Sequence, residues 1–417
     1  MRVLHLNTRS SGGAARAAIR LHEGLKAEGV SSRFAVAPNY QRDGFESPLC
    51  PAPDSRWIGP FRRFWQDRET RKRYSTLEPS TFHRDCRTKF RPNHLEPLLP
   101  ADVIHLHWIS DFLDWETCLP WLAKQAPLVW TLHDMNPFYG IWHYAPDVHE
   151  QSGPMQEWEN EVRKIKSRTL SKIDADRITL VGPSRWVAER ARESSQMGRF
   201  RTVSIPYGLH TRVFRPINKS VVREALGIPK NYRTVGFMAP VLKDPRKGYN
   251  LLLEALSHLA EKGDDLSLIT VGPGAKESPD FPSLNLGRVG SDDLLRLFYA
   301  AIDCFVCPSL QEVFGQVITE SMACGTPVIG FESGGIPEII CPGETGWLVP
   351  TGDTRALAQT IEKAVSDPIL LRSYGQNCRG VATEEYSLGK QASAYQKLYE
   401  EILERVSRST LVPREKV

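Results

Sequence analysis

Long hydrophobic runs are missing from this sequence. Across its 417 residues no stretch of about 18 consecutive apolar residues occurs, which leaves no candidate for a membrane-spanning helix. The opening MRVLHLN is too short for a signal-peptide core, and no small-residue cleavage pattern follows it, so a cytoplasmic protein is expected. An excess of one charge is missing too. Lys and Arg number 53 against 49 Asp and Glu, for a formal net charge of +4, too small to point to a nucleic-acid partner. Cysteine is sparse, at 50, 86, 118, 304, 307, 324, 341 and 378. Only Cys304 and Cys307 have a metal-like separation, with no second pair or matching histidines. Both fall in the apolar run DCFVCPS and read as reduced core thiols, so no metal is expected.

What is present is an ordinary globular composition, 41% apolar and 24% charged. The length exceeds one core and favours two domains of roughly 200 residues. Short apolar runs alternate with helical patterns throughout, the mark of parallel sheets flanked by helices. Strands are expected at Val3–Leu6, Arg33–Ala37, Val103–His107, Leu128–Leu132 and Ile178–Val181, then at Arg233–Met238, Leu266–Val271, Cys304–Cys307 and Pro327–Gly330. Helices are expected at Ala14–Glu28, Tyr249–Glu261, Asp292–Ala301, Val317–Ala323, between Arg355 and Ser366, and at Gly389–Val406. Pro and Gly interrupt the pattern near IPYGLHTRVFRP, which sets the expected domains at 1–206 and 207–388. The helix at 389–408 is expected to pack back on the first domain. The fold class is therefore α/β, two doubly wound domains facing a cleft, with ligands outside the carboxyl ends of the strands.

Chemistry concentrates in CPSLQEVFGQVITESMACGTPVIGFESGGIPEII, Cys307–Ile340. Glu312 and Glu320 stand seven residues apart, with Phe314-Gly315-Gln316 between them. A helix starting near Gly315 would aim backbone N–H groups at a phosphate or a sugar. Carboxylates accept strongly from paired hydroxyls, so one suits a hexose and the other a ribose. The loop Ser333-Gly334-Gly335-Ile336-Pro337-Glu338 would admit a pyrophosphate closely.

This run resembles the donor-site signature of glycosyltransferase family 4, retaining enzymes of GT-B architecture: Glu, seven residues, Glu, then GTPVI and SGGIPE, in order. The similarity extends over most of the chain. It implies that Glu312 contacts the donor sugar, that backbone around Phe314, Gly315, Gln316 and Val317 helps hold it, that Glu320 binds the ribose, and that Gly334 and Gly335 face the diphosphate. DPRKGYNLLLEAL, Asp244–Leu256, matches the family's KG motif, which gives Lys247 the donor phosphate. The family's arginine six residues earlier is Val241 here, and Lys243 or Arg246 are the candidate substitutes. The linker departs as well, with Tyr207-Gly208-Leu209-His210 where an Asn-Gly-Val-Asp run is common.

In the first half, WTLHDMNPFYG sets His133 and Asp134 just past a strand, and resembles the members of the family that build bacterial surface polysaccharides. By that resemblance His133 faces the reacting sugar from the acceptor side, with Asp134 beside it. IHLHW adds His107 at another strand end, a further acceptor-side candidate, and Asn7-Thr8 with Gly12-Gly13 line the first loop, where Gly12 and Gly13 are candidate donor-binding residues. The family's retention without a carboxylate nucleophile implies front-face attack, in which the leaving phosphate helps deprotonate the acceptor. The protein then contributes positioning and charge neutralisation. The expected substrates are a UDP- or GDP-sugar and a glycan or lipid-linked acceptor, with no cofactor.

Asp174-Ala175-Asp176 fits the metal-binding pattern of another transferase class but reads as a surface feature at a helix end. Between Arg56 and Tyr74, seven Arg or Lys mix with Trp57, Phe61, Phe64, Trp65 and Tyr74. Two readings fit that stretch: a basic amphipathic helix on an anionic membrane, or an aromatic stripe in the core under solvated arginines. Two other functions fit the architecture, a nucleotide-sugar epimerase and a non-catalytic sugar-nucleotide-binding subunit. A dinucleotide-dependent dehydrogenase does not, because TRSSGGAAR is no G-x-G-x-x-G fingerprint.

Overall fold

In a computed structural model of the chain, the described residues are 1–38, 86–144, 154–229, 231–260, 266–275 and 281–411. The basic aromatic stretch at 56–74 and Cys50 lie outside them. The contacts divide the chain into two units, Met1–Ile205 with Ala392–Val417, and Pro206–Gln391.

The first unit is built on β1 (Arg2–Asn7), β2 (Ser31–Val36), β3 (Val103–Leu106), β4 (Leu128–Thr131), β5 (Ile178–Gly182) and β6 (Arg201–Ser204). All pair in parallel, in the order β2-β1-β3-β4-β5-β6. Strands β3, β4 and β5 are buried along their whole length, as a sheet covered on both faces requires. The helices of this unit are α1 (Gly13–Ala27), α2 (Trp115–Gln125), α3 (Pro154–Ser171) and α4 (Arg185–Glu193). Gly12, at φ 99°, is the N-cap of α1, a conformation side chains rarely adopt, and Gly13 is the first helical residue.

The second unit holds β7 (Arg233–Met238), β8 (Leu266–Val271), β9 (Ser283–Asn285), β10 (Cys304–Cys307), β11 (Val328–Phe331) and β12 (Gly346–Val349), again all parallel, in the order β12-β11-β10-β7-β8-β9. Its helices are α5 (Lys219–Ala225), α6 (Tyr249–Ala260), α7 (Asp292–Ala301), α8 (Gln316–Ala323), α9 (Thr354–Val365) and α10 (Pro368–Glu385). Asn218, Asp353 and Asp367 cap α5, α9 and α10 by accepting from N–H groups of their first turns. The last helix, α11 (Leu388–Leu411), presses Ala392, Tyr395, Tyr399 and Ile402 into the core of the first unit against Val3, Val103, Val129 and Val181. Asp174 and Asp176 are exposed at the turn leading into β5.

Cys304 and Cys307 are buried free thiols on β10, and burial holds both above the usual thiol range, Cys307 at about 11. Among the described residues no helix is long and apolar enough to cross a membrane.

Candidate active site

In each sheet the strand order reverses direction at one place, and there the loops leaving adjacent carboxyl ends diverge to open a crevice. In the first sheet that place lies between β1 and β3; in the second it lies between β7 and β10.

In the first unit, the loops after β1, β3 and β4 are laced together. Thr8 donates from its N–H (2.7 Å) and its hydroxyl (2.8 Å) to the carbonyl of Trp108, and the N–H of Trp108 donates to Asn7 Oδ1 at 2.9 Å. The Trp108 indole donates to Asp134 at 3.0 Å. A small cavity at these strand ends is lined by His107, Trp108, Ser110, Thr131, His133 and Asp134. Gly12 and Gly13 are exposed at the end of the first loop.

Asp134 is buried, and its carboxylate serves its own loop. It also accepts from the N–H of Asn136 at 2.9 Å and pairs with His143 Nδ1 at 2.5 Å. Burial alone would raise its pKa; the neighbouring His143 and these donors outweigh that and hold it below the usual carboxylate range. The rest of this loop is held from α3, through two residues that sequence reasoning missed. Glu159, fully buried, accepts from the N–H groups of Gly140 (2.7 Å) and Ile141 (2.6 Å). Lys166, also buried, donates to the carbonyls of Asn136 (2.9 Å) and Tyr139 (3.1 Å) and lies 4.7 Å over the Trp115 ring. A buried lysine is tolerated because it is fully bonded.

Behind the cavity four histidines pack together. His5 and His105 are register partners on β1 and β3, and His107 stands two residues beyond His105, just past the end of β3. His5 Nδ1 lies 2.9 Å from His107 Nε2, and His107 Nδ1 lies 3.0 Å from His133 Nε2. His105 is held separately, by the Tyr399 hydroxyl at 2.7 Å and the Thr131 hydroxyl at 2.7 Å. Burial pushes His5, His105 and His107 well below the usual imidazole range, and neighbouring imidazoles push in the same direction. Burial also lowers His133, against the pull of Asp134, to about 4. The sequence singled out His107 and His133; His5 and His105 carried only the alternation HLHW and a histidine in β1 as a signal.

In the second unit, the loops after β7 and β10 bring Lys247 and Glu312 into a direct ion pair, with side chains only 21% and 13% exposed. A turn at Pro245–Lys247, capped by Asp244, presents the lysine. Gly248 follows at φ 74°, and a Cβ there would lie 1.9 Å from the carbonyl oxygen of Pro308, so the two loops meet backbone to backbone. Leu310 N–H donates to the Arg246 carbonyl at 2.7 Å. The SGG loop clasps Glu312 from the other side. Gly335 N–H donates to the Glu312 carbonyl at 2.8 Å, and a Cβ on Gly334 (φ 55°) would lie 2.0 Å from that same oxygen.

The other sequence candidates fall at varying distances from this pair. Gly315, at φ 89°, caps α8, and Gln316 and Val317 form its first, half-buried turn. The Phe314 ring is buried, 4.9 Å from Tyr207 and 5.9 Å from Tyr386. Glu320 is buried at 1% exposure and accepts from the Tyr299 hydroxyl at 3.1 Å; it is not brought to the ion pair. Arg246 pairs with Asp244 at 2.8 Å, and Lys243 is exposed with its stem along Gly274. Val241 is 42% exposed.

Two parallel doubly wound units, each with polar residues gathered at its reversal point, define the GT-B class of fold. Comparison with known proteins places it further. The family described as Glycosyl transferases group 1 matches residues 218–381, and the Glycosyl transferase 4-like domain matches residues 12–208. The chain belongs to glycosyltransferase family 4 and is a glycosyltransferase. A D-inositol 3-phosphate glycosyltransferase of Thermobispora bispora is 29% identical over 335 residues, 75% of this chain and 73% of that protein. The fold is shared with sucrose-phosphate synthase from Thermosynechococcus elongatus (TM-score 0.65, 20% identity, 97% of this chain and 100% of that one). It is also shared with HepE of Anabaena, solved in complex with UDP-glucose (TM-score 0.62, 17% identity, 96% and 100%). None of these relatives favours an epimerase.

Proposed function

We propose that this enzyme transfers a hexose, with retention, from a UDP- or GDP-sugar to a glycan or lipid-linked acceptor in polysaccharide synthesis. The observation that carries the reading is the Lys247–Glu312 pair at the reversal point of the second sheet, clasped by the KG turn and the SGG loop. A lysine neutralises the diphosphate as it departs, while the carboxylate beside it accepts from sugar hydroxyls; the two charges stay apart in function because the donor has one group for each. Because Lys247 supplies the cation, no divalent metal is required. The first turn of α8 and the SGG loop add backbone N–H groups. For Glu320 the proposal requires ribose hydroxyls to share a carboxylate that now accepts from Tyr299. His133 serves the acceptor side as a neutral hydrogen-bonding group.

HepE's complex with UDP-glucose favours UDP as the first nucleotide to try. The test is a thermal-shift titration with UDP, GDP, ADP and their sugars, on the intact protein and on Lys247→Ala. A shift with UDP or GDP that Lys247→Ala abolishes, unaffected by a chelator, supports the reading. No shift with any of them would sink it.

A further inference from the structure

The row His5–His107–His133 does more than fill space behind the cavity. A buried trio of His5, His105 and His107 invites a metal reading, since ligand atoms of the three come within 4.8 Å of one another. The contacts argue otherwise. Both nitrogens of His105 are engaged by hydroxyls, and His5 and His107 lie at hydrogen-bond distance, so one proton sits between them instead of two lone pairs converging on an ion.

A row of neutral imidazoles has only two consistent arrangements, because each ring carries one N–H and one lone pair. Either every proton points from His5 toward His133, or every proton points back. The far end decides. His5 is fully buried, and its Nε2 makes no hydrogen bond among the described residues. A buried N–H without an acceptor is rarer and costlier than a lone pair left bare. The proton of His5 therefore sits on Nδ1, donated to His107 Nε2. His107 must then carry its proton on Nδ1 and donate it to His133 Nε2. His133 Nε2 is an acceptor, and the remaining proton of His133 is on Nδ1.

We propose that His107 and His5 are positioning residues that lock His133 as the Nδ1–H tautomer, so that it meets its reacting partner as a hydrogen-bond donor to oxygen. The depressed pKa values of the three rings agree with an array that stays neutral. Such a donor suits a sugar or acceptor oxygen and cannot serve as the general base at that nitrogen. The chemical use of the donor rests on the proposed role of His133; the tautomer does not.

The experiment is long-range 1H–15N correlation on the full chain with 15N-labelled histidine, His133 being assigned by the loss of its signals in His133→Gln. The wild-type spectrum should show His133 as Nδ1–H, with the same pattern in Tyr399→Phe, since among the four histidines the Tyr399 hydroxyl bonds only His105. In His107→Phe, the unpinned ring should move to the Nε2–H form that free histidine prefers, and turnover should fall on the order of tenfold or more with donor KM unchanged. Nε2–H in the wild type overturns the proposal, as does an unchanged tautomer in His107→Phe. Because the wild-type spectrum decides by itself, a His107→Phe protein that fails to fold does not leave the question open. A protein with no transferase activity but the Nδ1–H pattern would sink the proposed function while leaving the tautomer lock standing.

Discussion

The two units solve the same topological problem with opposite chemistry. Each gathers polar residues where its strand order reverses, yet the first unit does so with uncharged imidazoles stacked in the sheet and the second with a lysine and a glutamate in direct contact. A buried neutral row costs little desolvation so long as each ring finds a partner, and it presents a donor of fixed direction. A paired cation and anion cost desolvation but can separate to meet phosphate and hydroxyl, the two kinds of group a nucleotide sugar carries. On the proposed roles, the difference is a division of labour: direction on the proposed acceptor side, charge on the proposed donor side.

Acid should separate the units most strongly. An unfolded histidine titrates near 6.5, whereas His5, His105 and His107 are held well below that by burial. The stability these neutral rings confer is present above pH 6.5 and is lost as pH falls toward their folded pKa values. Three such rings together remove roughly 4 kcal/mol per pH unit below 6.5. Nine of the ten tryptophans fall within residues 1–205, so tryptophan fluorescence reports on the first unit. Its melting temperature should drop steeply between pH 6.5 and 5, and His5→Leu should flatten that drop. A flat profile would break the comparison.

On the donor side, Lys247→Ala or Glu312→Ala should lower turnover by about 10²–10³, the scale of losing one preorganised charge-stabilising group. Lys247→Arg should rescue only weakly, since a planar fork does not replace a compact ammonium beside Glu312. A loss confined to KM in steady-state assays would mean the pair binds donor without acting on the transition state.

Gly248 tests how tightly the second site is built. Alanine there must adopt φ 74° and must also displace the Pro308 carbonyl, 1.9 Å from the new Cβ. Strain at such a backbone position costs on the order of 1–3 kcal/mol, and the shift separates the loops that hold Lys247 and Glu312. Nucleotide-induced stabilisation should fall together with the melting point. Gly227→Ala, at φ 68° but with open space around it, should lower the melting point and leave nucleotide binding intact.

The fold was legible where hydrophobic patterning is strong. Strands β7, β8 and β10 match their expected ends, because each is a buried apolar run bounded by polar residues. The sequence reading omitted β6, β9 and β12, which lie at sheet edges; RTVS and SLN have no apolar run to find, and SLN is exposed throughout. The helices α2 to α5 and α10 were likewise missed, their apolar positions being diluted by charge, as in PMQEWENEVRKIKSRTLS. At the site, motif order named Lys247 and Glu312, and the structure joins them. It could not show that Glu320 turns inward to Tyr299, nor that Asp134 is spent on Trp108, Asn136 and His143. Nor could it reveal the histidine row, because adjacency across β1, β3 and β4 is a product of strand order.

The smallest expected effect is also the cleanest probe of independence between the units. Tyr399 on α11 donates or accepts at His105 Nδ1, 2.7 Å away, inside a core that excludes water. Phenylalanine keeps the ring and its packing against Val103 and Val129 but leaves one imidazole nitrogen unpartnered, a loss of about 1–3 kcal/mol. His105 still bonds Thr131, so the strand should hold its place and only the melting temperature should fall, by a few degrees in calorimetry. Nucleotide affinity should be unchanged, since Lys247, Glu320, the first turn of α8 and the SGG loop, the groups proposed to hold the nucleotide, belong to the second unit. A weaker nucleotide affinity in Tyr399→Phe would show that the tie between α11 and the first sheet reaches the donor site, and the two halves could no longer be treated as separate solutions.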